Sequence, residues 1–144
     1  MRILIIDDNP DLVRVFAKML QTKGFFVTAE STFKAGLQHL ENESYYAVFI
    51  DAHFDNYDRK QILALLRENQ TFQKTSVFLF SGVDFDSIEL DEWKKEGLYS
   101  YLKKPVKRNV IVNALDEVCM KTNFANVQVA SEPIVKYEKP LLTY

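Results

Sequence analysis

Five short apolar runs constrain the fold of this chain more than any other feature of its sequence. Each run is rich in β-branched or aromatic residues and lacks the alternation of apolar and polar residues that marks a strand with one exposed face. Such runs are typical of strands that are buried on both faces of a parallel sheet. We therefore predict five parallel strands, at Ile3–Ile6, Phe25–Thr28, Tyr46–Ile50, Val77–Phe80 and Tyr99–Leu102.

The segments between these runs have the periodicity of helices. The first helix is predicted to begin near Pro10 and to end before Gly24, because proline suits a first helical turn and glycine a helix end. A second helix follows Ser31 or Thr32 as its N-cap. Strand and helix alternate five times, so right-handed crossovers predict a doubly wound α/β domain with helices on both faces of the sheet. The other predicted helices carry Ile62, Leu63, Leu65 and Leu66, span about 87–95, and carry an inward stripe of Val110, Ile111, Ala114, Leu115 and Val118.

Length and composition limit the classes of protein to which the chain can belong. The 144 residues match the size of one compact domain. No apolar run approaches the length of a membrane span, and the N-terminus lacks the apolar core of a signal peptide, so we expect a cytoplasmic protein. A formal charge of −2 gives no support to direct binding of nucleic acid. Cys119 is the single cysteine, which excludes an internal disulfide, and its helical spacing predicts a buried packing role.

The last part of the chain, residues 122–144, follows the final predicted element. We expect it to form a loosely ordered C-terminal tail. In an alternative interpretation, Val127–Ala130 adds an edge strand or packs on a neighbour. The predicted folded domain therefore covers residues 1–121.

Polar residues follow four of the predicted strands near the point where each strand ends. Asp7 and Asp8 follow the first strand and Asp51 follows the third. Ser81 follows the fourth strand and Lys104 the fifth, and in a doubly wound sheet these carboxyl ends border the ligand crevice. Two carboxylates about 4 Å apart repel by about 4 kcal/mol at an effective dielectric of about 20. A bound cation relieves this repulsion, and Mg²⁺ suits a few oxygen ligands with positions left for water and phosphate.

The same set of residues has the parts that phosphoryl transfer needs. Lys104 brings an ammonium and Ser81 a hydroxyl to a rim where a phosphoryl group would also meet the cation. A carboxylate can act as the nucleophile and form an acyl phosphate, which makes Asp51 the candidate acceptor. Several of these residues alone have a structural explanation: Asp8 or Asn9 would suit a helix cap, Ser81 a turn and Lys104 a solvated surface position. Their coincidence at one sheet edge favours a shared functional site.

Residues 1–121 resemble the receiver domain of response regulators, and the chain is similar in size to single-domain chemotaxis regulators. The resemblance implies a flavodoxin-like (βα)5 fold with a five-stranded parallel sheet of order 2-1-3-4-5. It also implies a phosphoacceptor switch, not a conventional enzyme, that receives its phosphoryl group on Asp51 from a histidine kinase or phosphotransfer protein. An unidentified downstream protein would be the second partner, and the domain would be a monomer or a weak phosphorylation-dependent dimer. The residues that carry the resemblance are Asp7, Asp8, Asp51, Ser81 and Lys104.

The resemblance implies a role for each acidic residue in holding the metal. Asp8 and Asp51 would coordinate Mg²⁺ directly, and Asp7 would act through water. The backbone carbonyl of His53 would be a further ligand.

The resemblance also implies how phosphorylation is sensed. Ser81 and Lys104 would each bond a phosphoryl oxygen, and the Lys104–Pro105 peptide would be cis. Tyr101 matches the aromatic switch position, although an aromatic residue in a strand is otherwise a packing residue. As Ser81 moves towards the phosphate, Tyr101 would turn inward and reshape a partner-binding face. This face consists of the fourth predicted helix, the fifth strand and the fifth predicted helix.

The loop after Asp51 departs from the family pattern. Asp55 stands at the usual proline position and Arg59 at the usual glycine position, so a different turn geometry is expected. The side chain of His53 either tunes the lifetime of the phosphate or is inert. His39, on the second predicted helix, is expected at the surface.

Two other functions compete with the phosphoacceptor hypothesis. Phosphatases of the haloacid dehalogenase type also place an aspartate nucleophile after the first strand, but they need Asp-x-Asp, and here Asn9 holds the third position. The stronger rival is a receiver-like interaction module that works without phosphorylation, which the atypical loop after Asp51 would suit. The complete set of five family residues favours the phosphoacceptor.

Overall fold

The computed structural model describes residues 1–54 and 56–129, and for residues 122–129 it describes the backbone alone. Its strands are β1 (Arg2–Ile6), β2 (Phe26–Glu30), β3 (Ala47–Asp51), β4 (Ser76–Ser81) and β5 (Leu98–Lys103). They form one sheet in the order β2-β1-β3-β4-β5, and every neighbouring pair is parallel. The predicted fold class and strand order are confirmed.

Six helices accompany the strands in the described part of the chain. The one-turn helix α4 was not predicted, because four residues are too few to show a periodic pattern. The fourth and fifth predicted helices correspond to α5 and α6. The helices are α1 (Pro10–Thr22), α2 (Phe33–Asn42), α3 (Arg59–Glu68), α4 (Thr71–Lys74), α5 (Ser87–Glu96) and α6 (Arg108–Val129).

Side-chain caps explain where the first three helices begin. The Asn9 side chain caps α1 by accepting hydrogen bonds from two backbone amides of its first turn, at 3.1 and 3.2 Å. Thr32 caps α2, and Asp58 forms a reciprocal capping box with Gln61 at the start of α3. Because Asn9 caps α1, Asp8 is not needed as a cap. The structural explanation that competed with a functional role for Asp8 is therefore removed.

The sheet separates two apolar cores, one on each face. Alternate residues of β1 enter opposite cores, with Ile3 and Ile5 on the side of α1 and α6 and Leu4 and Ile6 on the side of α2, α3 and α5. On the first side, Phe49 stacks on Phe78 and Phe80, with ring centroids 4.7 and 5.4 Å apart. β1, β3 and β4 are almost fully buried, as their apolar sequences predict. These buried central strands hold the carboxyl edge of the sheet in place.

Predictions of burial are wrong at both edges of the sheet and on α6. β2 and β5 are edge strands and not doubly buried ones, and the Phe26 side chain at the start of β2 is 73% exposed. Val110, predicted to face inward, is 42% exposed. The buried line of α6 runs through Ile111, Leu115 and Val118, which repeat at four and three residues, and Val110 lies about 100° away from that line.

The C-terminal helix α6 continues past residue 121 to Val129. Residues 127–129 are therefore helix, and not the edge strand of the alternative interpretation. Residues 130–144, which hold the rest of the expected tail, lie outside the described residues. Cys119 is free and partly buried on this helix.

The His39 side chain is half-buried, with 28% of its surface exposed. Its Nε2 atom lies 2.6 Å from Oε1 of Glu30, and its Nδ1 atom lies 3.2 Å from the hydroxyl of Tyr45. These contacts join α2 to the end of β2 and to Tyr45, which precedes β3. His39 therefore has a structural role in linking these elements.

No helix in the described residues is both long and apolar enough to cross a membrane.

Candidate functional site

The carboxyl edge of the sheet brings the predicted acidic residues together. Asp7 and Asp8 follow β1 directly, and Asp51 is the last residue of the neighbouring β3. One carboxylate oxygen from each of these residues lies within 4.8 Å of the others. The predicted convergence of the three carboxylates is confirmed.

The Lys104 ammonium lies between the two buried carboxylates. Its Nζ atom is 2.9 Å from Oδ2 of Asp7 and 3.6 Å from Oδ2 of Asp51. The other oxygen of each carboxylate accepts a backbone N–H, from Asn9 at 2.9 Å and from His53 at 3.0 Å. Asp7 and Asp51 are thus oriented by bonds from their own loops as well as by Lys104.

One ammonium does not balance three carboxylates. Burial raises the pKa of Asp51 above its ordinary value, and the charges of Asp7 and Asp8 raise it further. The backbone N–H of His53 and the Lys104 ammonium act in the opposite direction. The site therefore has a surplus of negative charge that favours a bound cation.

The donor set fits a hard divalent cation. Asp8 is exposed, and among the described residues its carboxylate makes no hydrogen bond or ion pair, so it is available to a ligand. Oxygen donors from carboxylates, with room for water, are what Mg²⁺ takes in proteins. Asp7, Asp8 and Asp51 are therefore the residues that could hold such an ion.

Ser81, the last residue of β4, is fully buried and contacts the His53 side chain. The His53 Nε2 atom lies 2.8 Å from Oγ of Ser81, which also accepts the Val83 N–H at 3.1 Å. The imidazole thus reaches from the loop after Asp51 to the residue predicted to sense the phosphate. The sequence offers the His53 side chain as a candidate near the phosphate, but it carries no signal of a contact with a residue 28 positions away.

Tyr101 on β5 is partly buried and contacts the loop between β4 and α5. Its hydroxyl donates a hydrogen bond to the backbone carbonyl of Val83. Its ring meets the Phe85 ring edge-on, with centroids 4.4 Å apart and an angle of 89°. Tyr101 is thus bonded to the loop that follows Ser81.

The atypical loop after Asp51 is held by aromatic packing. The Tyr57 N–H bonds the Phe54 carbonyl at 3.2 Å, and both rings pack against Phe33, with centroids 5.1 and 5.9 Å from it. Asp55, at the usual proline position, lies outside the described residues. Aromatic contacts with α2 therefore stabilise this loop, which lacks the usual proline and glycine.

The remaining predicted feature of the site is the peptide before Pro105. The Lys104–Pro105 peptide is cis, as the resemblance implied. The Lys104 N–H also bonds the Ser81 carbonyl at 2.7 Å, which joins the ends of β4 and β5. The sequence did not reveal the roles of Val83 and Phe85, because a backbone carbonyl and a single ring contact have no pattern in the chain.

The comparison with known families agrees with this geometry. Residues 3–116 match the family model of the response regulator receiver domain. The chain belongs to this family. Among curated proteins, the receiver domain is similar to the transcriptional regulatory protein GlrR of Escherichia coli, with 25% identity over 115 residues that cover 80% of the chain. It is also 24% identical over 112 residues, 78% of the chain, to the CAI-1 autoinducer sensor kinase/phosphatase CqsS of Vibrio cholerae.

Solved structures show the same fold. The receiver domain of the Francisella response regulator 1452 superposes with a TM-score of 0.73 at 21% identity, covering 84% of this chain and 98% of that one. By contrast, the chain spans 25% of the length of GlrR and 16% of that of CqsS. The shared part is therefore a receiver domain of two-component signalling with an acidic pocket.

Proposed function

We propose that this receiver domain accepts a phosphoryl group on Asp51 in the presence of Mg²⁺ and thereby changes how it binds a partner. The observation that carries the proposal is the position of Asp51 at the end of β3. There its buried carboxylate lies beside Asp7 and Asp8 and 3.6 Å from the Lys104 ammonium. A carboxylate surrounded by other carboxylates and one cation is arranged to receive a phosphoryl group and not to stabilise the fold.

The proposed step is nucleophilic transfer to the Asp51 carboxylate. An Oδ atom of Asp51 forms a bond to phosphorus while the bond from phosphorus to the donor breaks, with the electron pair leaving on the donor atom. The ionised form of Asp51 is needed, and the His53 N–H and the Lys104 ammonium favour that form. Asp8, Asp51 and the His53 carbonyl would hold Mg²⁺ directly and Asp7 through water, and the ion would supply positive charge for the phosphoryl oxygens. Lys104 is free to turn from Asp51 to one of those oxygens once the charge of the carboxylate is lost in the acyl phosphate.

The proposed switch requires Ser81 to exchange its hydrogen-bond partner. Its hydroxyl now contacts His53 and would instead bond a phosphoryl oxygen. Because Val83 bonds both the Ser81 hydroxyl and the Tyr101 hydroxyl, this exchange would change the contacts of Tyr101. Moving a two-state equilibrium from 1:99 to 99:1 takes about 5.5 kcal/mol, which a few charge-assisted hydrogen bonds can supply. The face formed by α5, β5 and α6 would bind the partner.

The relatives support the proposed class of phosphodonor. Receiver domains work with histidine kinases and phosphotransfer proteins, and CqsS is itself a sensor kinase/phosphatase. We propose the same class of donor for this domain, a cytoplasmic location, and a monomer or weak phosphorylation-dependent dimer. The domain would be a switch that dephosphorylates itself and not a conventional enzyme.

One observation favours a second function, a receiver-like interaction module that works without phosphorylation. The atypical loop after Asp51 is held by aromatic contacts of Phe54 and Tyr57 with Phe33, which such a module would suit. The acidic site argues for the phosphoacceptor, because an interaction module has no need of three converging carboxylates.

A test with a small phosphodonor separates these functions. We expect the full chain, incubated with acetyl phosphate and Mg²⁺, to gain the mass of one phosphoryl group, and to gain none when EDTA replaces Mg²⁺. A wild-type protein that takes up no phosphoryl group while remaining folded would support the interaction module instead. Sustained hydrolysis of phosphate esters by the wild type would indicate a phosphatase.

A further inference from the structure

Arg59 occupies an unusual place for a cation. It is the first residue of α3, where the helix dipole favours negative side chains and disfavours positive ones. Only residues 52–58 separate Arg59 from the acceptor residue Asp51 in the chain. A compensating set of contacts is therefore expected for its guanidinium.

The Arg59 guanidinium makes these contacts with the loop between β4 and α5 and with α5 itself. The Arg59 Cζ atom is 4.3 Å from the centroid of the Phe85 ring, and its Nη2 atom is 3.5 Å from Oε2 of Glu89. Nη1 of Arg59 is buried and has no hydrogen-bond partner among the described residues. The face of the Phe85 ring is thus the main partner of this part of the guanidinium.

Phe85 is also the residue that packs against Tyr101. The Phe85 ring therefore contacts both the Arg59 guanidinium and the Tyr101 ring. The Tyr101 ring meets it edge-on, with centroids 4.4 Å apart. The same ring lies 6.2 Å from buried Trp93 on α5. Arg59, Phe85 and Tyr101 form a continuous line of contacts from the acceptor loop to β5, and this line does not include Ser81.

We propose that Arg59 is a positioning residue that, through Phe85, holds Tyr101 against the β4–α5 loop and so couples the acceptor loop to the output face. This inference rests on the proposed function only for the meaning of Tyr101 as a switch. The proposed coupling is a set of side-chain contacts and is tested in the protein without a phosphodonor, so a failure of phosphoryl uptake leaves the test unaffected.

A simple surface ion pair does not explain the same observations. Arg67, on the same helix, pairs with Glu96 at 3.0 Å and has no aromatic partner in the described structure. Exposed pairs of that kind contribute little to stability or to the position of neighbouring groups. Arg59 differs because its guanidinium contacts the ring that holds the switch residue. Arg67 therefore serves as a matched control on the same helix.

The test measures the surroundings of Tyr101 by ¹⁹F NMR in the full chain labelled with 3-fluorotyrosine. The Tyr101 signal is assigned among the seven tyrosines by its loss in Tyr101→Phe. In Arg59→Met we expect this signal to move towards that of a solvent-exposed tyrosine, with about a fivefold loss in the population that contacts the loop. Arg59→Lys, which keeps the charge but not the planar group, should give a smaller change. The change should also occur in a Ser81→Ala background, because the contacts do not pass through Ser81.

Controls separate the proposed role from general loosening of the fold. Arg67→Met should leave the Tyr101 signal in place, and Phe85→Leu should move it as Arg59→Met does. The double variant Arg59→Met/Phe85→Leu should show no further movement, because both substitutions break the same line of contacts. An unchanged Tyr101 signal in folded Arg59→Met or Arg59→Lys, or an equal change in Arg67→Met, would overturn the proposal.

Discussion

Replacing Asp51 with asparagine is expected to make the metal-free protein more stable at neutral pH, with a rise of several degrees in the midpoint of thermal unfolding. The substitution keeps the shape of the side chain and removes its buried negative charge. The pKa of the Asp51 carboxyl is raised by burial and by two neighbouring carboxylates. The same substitution should remove most of the stabilisation that Mg²⁺ gives to the wild type, because one of the three charged ligands is lost. A change that abolishes the proposed function is thus predicted to stabilise the fold.

The gain from Asp51→Asn should depend on pH in a defined direction. The folded state of the wild type holds the Asp51 proton more tightly than the unfolded state does, because the pKa is raised in the fold. The wild type therefore loses stability as pH rises from the ordinary value of 3.8 through the raised value, and the penalty is complete above it. The difference in stability between variant and wild type should be largest at neutral pH and should vanish on acidification.

Asp58→Ala provides a control of opposite sign. Asp58 lies on the same loop but caps α3, so its loss should destabilise the protein by about 1 kcal/mol. Thermal unfolding in EDTA, followed by circular dichroism at several pH values, measures both variants. A lower midpoint for Asp51→Asn in EDTA would contradict the electrostatic description of the site.

Replacing Lys104 with methionine should change metal binding and phosphoryl uptake in opposite directions. The ammonium lies 2.9 Å from Asp7 and 3.6 Å from Asp51 and opposes the binding of a cation there. Without it, we expect the affinity for Mg²⁺ to increase about tenfold, equal to about 1.4 kcal/mol. The rate of phosphoryl uptake should fall about a hundredfold, because a group that stabilises the transferred phosphoryl oxygens is lost.

The adjacent Lys103 is a matched control for this prediction. It is exposed and pairs with Asp84 at 2.7 Å, and in the described residues it forms no ion pair with Asp7, Asp8 or Asp51. Lys103→Met should leave both the affinity for Mg²⁺ and the uptake rate near those of the wild type. Titration calorimetry with Mg²⁺ and the time course of uptake from acetyl phosphate provide the two readouts. Weaker Mg²⁺ binding by Lys104→Met would show that Lys104 supports the metal site instead of competing with it.

The sequence predicted the sheet well because its central strands are buried on both faces. Residues such as Ile3–Ile6 are apolar without interruption, which is typical of a strand covered on both faces. The edge strands β2 and β5 were harder to predict, since Phe26 is apolar yet exposed and nothing local marks the position of a strand in the sheet. The one-turn helix α4 and the exposure of Val110 depend on contacts that no short pattern records.

The sequence predicted those residues of the candidate site that lie at the ends of strands. Asp7, Asp8 and Asp51 converge because parallel strands place their carboxyl ends at one edge, which is a consequence of topology. The contacts of His53 with Ser81 and of Arg59 with Phe85 were not predictable, because each contact joins two residues that are far apart in the chain. Such pairings depend on loop conformation, for which the sequence has no periodic signal.

Chemical localisation of the phosphoryl group tests the central claim most directly. Borohydride reduces an acyl phosphate of aspartate to homoserine, so the modified residue can be read by tandem mass spectrometry after treatment with acetyl phosphate and Mg²⁺. We expect homoserine at Asp51 and at neither Asp7 nor Asp8, with no conversion when EDTA replaces Mg²⁺. Conversion at another aspartate, or none in folded wild-type protein with Mg²⁺ present, would contradict the assignment of Asp51 as the acceptor.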